Sequence, residues 1–147
     1  MFFKKKEEYN TLHMMVGLPR SGKSTYARKL SKKKRCPIVS PDCIRLALFG
    51  QPFYRDAEPM VWAIAKTTVR ALFLAGHRDV ILDATSVNSA VRNEWIDSSW
   101  TREFHVIDTC KEVCIERAII NKQEELIEVI ERLDSIYEPI DDYELDR

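Results

Sequence analysis

Short apolar runs alternate with helix-period segments along the whole chain. Residues 11–16 (TLHMMV), 79–83 (DVILD) and 104–108 (FHVID) are compact apolar stretches of strand length, and 37–40 (PIVS) is a shorter fourth. Between them lie segments with a helical repeat: about 23–33, a longer one opened by Glu58 and Pro59 and closed by Gly76, and about 112–121. An acidic helix follows over about 124–137, ended by Pro139. Ser40-Pro41-Asp42 has a cap, a proline and an acid in the order that opens a helix. Asn88 or Ser89 is a candidate cap for a helix running through Trp100, and residues 50–58 (GQPFYRDAE) predict an irregular connection. Strands alternating with helices predict an α/β fold, a parallel sheet of four to five strands with helices on both faces. The expected organisation is a single domain over 1–147, loosest at 1–10 and 139–147.

Composition fits this picture. A chain of 147 residues that is 45% hydrophobic and 31% charged can bury a core without staples. Its apolar runs are too short to span a bilayer, and Met1-Phe2-Phe3 leads into lysines and glutamates rather than a signal-peptide core. Cys36, Cys43, Cys110 and Cys114 form no CxxC pair and only three histidines exist to complete a metal site, so zinc is not expected. Reduced, packed cysteines in a cytoplasmic protein are the expectation. Net charge is zero but lopsided: residues 1–111 hold 19 basic and 11 acidic side chains, and residues 112–147 hold 4 and 12. The densest basic run is Arg28, Lys29, Lys32, Lys33, Lys34 and Arg35, a solvated helix end that could also attract a polyanion.

The chemistry begins at residues 17–25. Gly17, Leu18, Pro19, Arg20, Ser21, Gly22, Lys23, Ser24 and Thr25 fit G-x-x-x-x-G-K-[ST] at every position, after a strand and before a helix. The glycines let backbone amides curl around phosphate oxygens at a helix N-terminus. Lys23 is placed to reach the β- and γ-phosphates and Ser24 to ligate Mg²⁺. Asp42 and Arg45, three apart at the start of a helix, share a face: the carboxylate can take a proton from an acceptor hydroxyl while the arginine holds a phosphate. Asp83 closes an apolar strand and can organise Mg²⁺. Ala84 follows it, so the water-activating glutamate of many ATPases is missing, which favours transfer over hydrolysis.

GLPRSGKST, SPDCIR, ILDATSVN with Arg92 soon after, and CIERAIINK before a final helix appear in that order over roughly 11–139. Together they resemble the phage-type polynucleotide 5′-hydroxyl kinases, a family of small P-loop kinases. The resemblance implies a P-loop kinase fold with a helical lid at about 115–128, and ATP and Mg²⁺ as cofactors. Lys23 and Ser24 would then bind the ATP phosphates and metal, with Asp83 beside the metal. Asp42 would be the general base and Arg45 the contact to the acceptor phosphate. DNA or RNA 5′ ends would be the substrate. In the lid the family has two arginines four apart. Arg117 takes the first position, but the second is Asn121 with Lys122 next to it. Lys122 or Arg20 must then supply the second cation, or transfer is slow. Two competing expectations are a kinase for a small hydroxyl compound and a nucleotide-binding regulator with lost catalysis.

Other residues draw plainer expectations. His13 and His105 read as packing residues of strands, His77 as a loop residue, and Trp62, Trp95 and Trp100 as helical packing residues. Phe53 and Tyr54 are the candidates to stack on a base.

Overall fold

In the computed structural model, residues 9–51 and 55–145 are described. β1 (Thr11–Val16) leads through α1 (Lys23–Lys34) to β2 (Ile38–Val39) and α2 (Pro41–Phe49). A single 3-10 turn at Arg55–Ala57 precedes α3 (Glu58–Leu74), β3 (Asp79–Leu82), α4 (Ser89–Asn93) and β4 (Thr101–Val106). α5 (Lys111–Ile120), α6 (Leu126–Ser135) and α7 (Asp142–Leu145) complete the chain. The four strands form one parallel sheet in the order β2-β3-β1-β4.

The alternation of β1 explains the layers. Leu12 and Met14 face α3, where Ala65, Val69 and Phe73 meet them together with Val80 and Leu82. Met15 faces the other way, onto Ala27 and Leu30 of α1 and Ile81 of β3. A parallel strand buried on both faces reads as a continuous apolar run, as residues 11–16 do. A third cluster joins Leu18 and Val87 to Cys114, Ala118 and Ile130, packing α5 and α6 against the loop that follows β1. Crossovers run to one side of β1 for β2 and β3, and β4 is added on the other. In such sheets the ligand crevice opens at the carboxyl ends of the strands.

Three boundaries differ from expectation. The fourth strand starts at Thr101, not Phe104, because Thr101 N–H donates to the Asn10 carbonyl and carries the pairing with β1 back to its first residue. The helix capped by the Asn88 side chain ends at Asn93 rather than running through Trp100. Asp97 accepts from the Ser99 N–H, and an isolated bridge pairs Asp97 with Trp100. The turn lets both Trp95 and Trp100 enter the α3-side core, so neither is helical.

The third difference is at the C-terminus. Residues 139–145 are anchored, not loose. Arg92 is fully buried, and its Nε and Nη2 donate to Glu144 of α7 at 2.7 and 2.8 Å. Its Nη2 also donates to the Glu138 carbonyl and its Nη1 to the Ser86 carbonyl. A buried guanidinium needs such a carboxylate, and here the carboxylate comes from the last turn of chain. All four cysteines are free, Cys36 and Cys114 buried, Cys43 and Cys110 exposed. Among the described residues no helix is long and apolar enough to cross a membrane.

Candidate active site

The loop between β1 and α1 is shaped by its glycines. A Cβ on Gly17 would sit 2.8 Å from Ser21 Oγ and 3.0 Å from the Ile107 carbonyl, so only glycine allows the loop to close on itself. Gly22 caps α1 with φ 103°, left-handed backbone, and no side chain caps the helix. The first amides of α1 therefore have no intrahelical partner, and the helix dipole favours an anion there. Arg20 also has positive φ, and its carbonyl accepts from Arg117 Nη1 of α5 at 3.1 Å. The Ser21 carbonyl accepts from Thr109 Oγ1 at 2.8 Å. Ser21 Oγ is buried without a partner among the described residues, an orphaned polar atom inside the loop.

Lys23 is buried and its ammonium donates to the Leu18 carbonyl at 3.3 Å. Desolvation lowers its pKa below the ordinary lysine range, opposed by the charges of Asp83 and Asp42. Ser24 Oγ donates to Asp83 Oδ2 at 2.7 Å, bringing a hydroxyl and a carboxylate together at the end of β3. That oxygen donor pair, beside an uncapped helix start, fits a hard divalent cation bound to a polyphosphate. Asp83 is held by its own N–H, which donates to the Val39 carbonyl of β2.

Asp42 is fixed by the helix it opens. Ser40 Oγ accepts the Cys43 N–H, and Pro41 occupies the first turn of α2. Arg45 Nη1 donates to Asp42 Oδ1 at 2.7 Å. The rest of that guanidinium is gripped by Glu58 of α3, with Nε to Oε1 at 2.7 Å and Nη2 to Oε2 at 2.8 Å. Trp62 Nε1 donates to the same Glu58 Oε2 at 3.0 Å. Three of the five guanidinium N–H donors are used in these bonds, leaving two for a ligand. The Asp42 side chain is 75% exposed, open to the cleft, while Arg45 is buried. Surrounding protein raises the Asp42 pKa by desolvation; Arg45 and Lys23 pull it down, and Asp83 adds to the rise.

All these groups border one open cleft of about 1020 Å³. Its wall takes in Pro19 through Thr25, Asp42, Arg45, Asp83 and Arg117, together with Glu58 and Trp62. Gly17 and Leu18 lie beneath the wall, both buried, Leu18 in the apolar cluster under α5. Lys122 is not part of the wall. Asn121 Nδ2 donates to the Arg117 carbonyl and ends α5, and Lys122 follows with left-handed backbone and an exposed side chain. Arg132 of α6 borders the cleft in its place, beside Gln123, Leu126 and Leu133. Phe53 and Tyr54 fall outside the described residues.

Sequence reasoning missed Glu58, Trp62 and Arg132. Glu58 read only as a helix opener, and no local spacing ties it to Arg45, 13 positions earlier. Arg132 carried a weak signal: it sits one residue before Leu133 on a helix whose apolar stripe faces the cleft wall.

Comparison with known proteins gives the family and the fold. Residues 12–132 match the AAA_33 family, an AAA domain. The chain belongs to that family of P-loop domains, and its four-stranded parallel sheet is that of P-loop kinases. A chain of the Pnkp1/Rnl/Hen1 complex matches with TM-score 0.68 and 27% identity, over 78% of this chain and 42% of its own. A chain of the Pnkp1/Rnl/Hen1 RNA repair complex matches with TM-score 0.69 and 18% identity, over 92% and 48%. This chain thus spans less than half the length of those relatives. The Mycobacterium tuberculosis APS kinase CysC, in complex with AMPPNP and APS, matches with TM-score 0.63 and 19% identity, over 91% of this chain and 85% of its own. No curated protein matches the sequence. The polynucleotide kinase-type resemblance carried by the motifs is borne out at the level of family and fold.

Proposed function

We propose that this kinase domain transfers the γ-phosphoryl group of ATP to the 5′-hydroxyl end of DNA or RNA. The observation that carries the reading is the convergence on one cleft of Asp42 and Arg45, as an acceptor station, with Lys23, Ser24 and Asp83, as a phosphate and metal station. The 27% identity to a chain of a Pnkp1-containing complex supports a nucleic-acid end as the acceptor. The cations Arg20, Arg28 and Lys29 on the cleft wall support an acceptor carrying several phosphates.

The residues divide the work as follows. Asp42 accepts the proton of the acceptor hydroxyl as its oxygen bonds to the γ-phosphorus. The bond from that phosphorus to the bridging oxygen breaks, and its electron pair leaves with ADP. Arg45, held rigidly by Glu58, presents its two remaining N–H groups to the acceptor's phosphate. Lys23 and the first amides of α1 hold the charge that spreads over the transferring oxygens. Ser24 and Asp83 would hold Mg²⁺, which when bound neutralises charge on the β- and γ-phosphates. Arg117 and Arg132 supply cations from the α5–α6 side, in the place where a second lid arginine is missing.

The test is transfer of γ-labelled phosphate from ATP and Mg²⁺ to 5′-hydroxyl DNA and RNA oligonucleotides, run beside nucleosides, sugars and adenosine phosphosulfate. Label on the oligonucleotides, lost in Lys23→Ala, is the expected result. Label on a small hydroxyl compound alone would move the assignment to a small-acceptor kinase. ATP binding without transfer to any of them would leave a nucleotide-binding regulator.

A further inference from the structure

A second constellation lies on the α1 side of the sheet, at its β4 edge. His13 of β1 is buried, and its Nε2 lies 2.7 Å from Asp79 Oδ1. Its Nδ1 lies 3.0 Å from His105 Nε2 and 3.8 Å from Glu103 Oε2. His105 Nε2 is 3.6 Å from Glu103 Oε1, and His105 Nδ1 is 2.8 Å from the Tyr26 hydroxyl of α1. None of these side chains except Tyr26 borders the cleft, and the phosphoryl transfer described above uses none of them.

We propose that His13 Nδ1, His105 Nε2 and a Glu103 carboxylate oxygen form a binding site for a divalent ion of the zinc class. Ligand type is the first argument: two imidazoles and one carboxylate are the donors of an open tetrahedral zinc site with a fourth position for water. Spacing is the second. Ligands about 2.0–2.1 Å from a tetrahedral ion stand about 3.3 Å from one another; the two nitrogens here are 3.0 Å apart, Glu103 Oε2 is 3.8 Å from His13 Nδ1 and Glu103 Oε1 is 3.6 Å from His105 Nε2, so a small turn of the carboxylate completes the triad. Support around the ligands is the third. The far nitrogen of each imidazole already has an oxygen partner, Asp79 for His13 and Tyr26 for His105, which fixes ring orientation as outer partners of metal-bound histidines do.

Without metal the same contacts form a one-way chain. The Asp79 carboxylate can only accept, which puts a proton on His13 Nε2; with His13 Nδ1 then the acceptor, His105 donates from Nε2 and accepts at Nδ1 from the Tyr26 hydroxyl. Metal entry requires His105 to exchange its Nε2–H for the Nδ1–H tautomer, which then donates to the Tyr26 oxygen. His13 keeps its proton on Nε2 and its bond to Asp79. Asp79 and Glu103 provide negative charge around the ion, partly offset by Lys34, whose Nζ lies 3.9 Å from Asp79. Glu103, on the edge strand and 56% exposed, leaves the ion a route in from solvent. The missing CxxC pair and the three histidines argue from sequence against zinc; the fold instead brings two of those histidines, 92 residues apart, beside Glu103, and this set needs no thiol.

The test titrates the full chain, free of nucleotide, with Co²⁺ followed by its visible absorption, and then with Zn²⁺ as competitor. One equivalent with tetrahedral absorption, displaced by Zn²⁺, is expected. Glu103→Gln, an exposed substitution that leaves the fold intact, should weaken binding at least tenfold, and Asp79→Asn by about 10–100-fold. Zn²⁺ should raise the melting temperature of the wild type and not of Glu103→Gln. Binding should persist in Cys43→Ser/Cys110→Ser and in Asp83→Asn, which separates it from exposed thiols and from the cleft. Absence of binding at micromolar metal, or equal affinity in wild type and Glu103→Gln, would overturn the proposal.

Discussion

Two arginines in this molecule are each gripped by two bonds from one glutamate, and they serve different ends. Arg92 and Glu144 are sealed, their side chains 0% and 2% exposed. Every other bond of that Arg92 guanidinium goes to backbone carbonyls of the segments around it. Arg45 and Glu58 are alike in geometry, but Glu58 is 28% exposed and the third partner, Asp42, is 75% exposed. The sealed Arg92 spends four of its five N–H donors on the protein, whereas the cleft Arg45 spends three and its Asp42 partner faces solvent. A buried ion pair offers little net stability over an apolar equivalent, yet breaking it is costly. The same chemistry thus pins a C-terminal segment in one place and fixes an arginine on the cleft wall in the other.

The largest effect should come from the sealed pair. Glu144→Ala leaves a charged Arg92 buried without its carboxylate, at a cost of about 3–5 kcal/mol. In a domain of this size that lowers the melting temperature by roughly 6–20 °C, measurable by calorimetry. Per molecule that remains folded, phosphoryl transfer should be unchanged.

Next in size are the cations over the cleft. Arg132→Ala should slow transfer about 10–100-fold, the loss of one hydrogen bond between charged groups. Lys122→Ala should leave the single-turnover rate where it was. The reverse pattern would restore Lys122 to the lid role that its neighbour Asn121 suggested.

Glu58→Ala should behave unlike Glu144→Ala. Its buried partner Arg45 keeps the Asp42 carboxylate, so stability falls by about 1–3 kcal/mol, less than in Glu144→Ala. The acceptor KM should rise about tenfold as the guanidinium loses its fixed orientation, with ATP affinity unchanged. Equal loss of stability in the two glutamate variants would erase the distinction between the pairs.

How much of this was legible in the sequence follows from the range of each interaction. The loop at residues 17–25, the cap at Ser40 and the central strand are written in contiguous residues, and they fold as read. Lys23, Asp42 and Asp83 of the cleft wall were readable because short motifs place them after the carboxyl ends of neighbouring strands. Glu58, Arg132 and Glu144 were not, because each acts on a partner brought near only by packing: Glu144 lies 52 residues from Arg92. The turn at Asp97 shows the same limit. Helix-compatible spacing of Trp95 and Trp100 gave way to the gain from burying both rings, which the local pattern does not contain.

The smallest effect is on pH dependence, and its sign follows from the shifts. Under the proposed function Asp42 acts deprotonated, and its pKa is raised, so the acid limb of transfer should lie above the ordinary aspartate range. Lys23 works protonated and its pKa is lowered, so the alkaline limb should fall below the ordinary lysine range. Arg45 holds the Asp42 pKa down, so Arg45→Gln should move the acid limb to higher pH in a profile of kcat/KM.

In the proposed reaction Asp42 takes the acceptor's proton. The most direct measurement is the single-turnover rate of label transfer from γ-labelled ATP to a 5′-hydroxyl oligonucleotide, in wild type and Asp42→Asn, with ATP affinity measured on the same preparations. Unchanged ATP affinity and a transfer rate lowered by about 10²–10⁴-fold is the predicted result. Transfer at the wild-type rate by Asp42→Asn would contradict it.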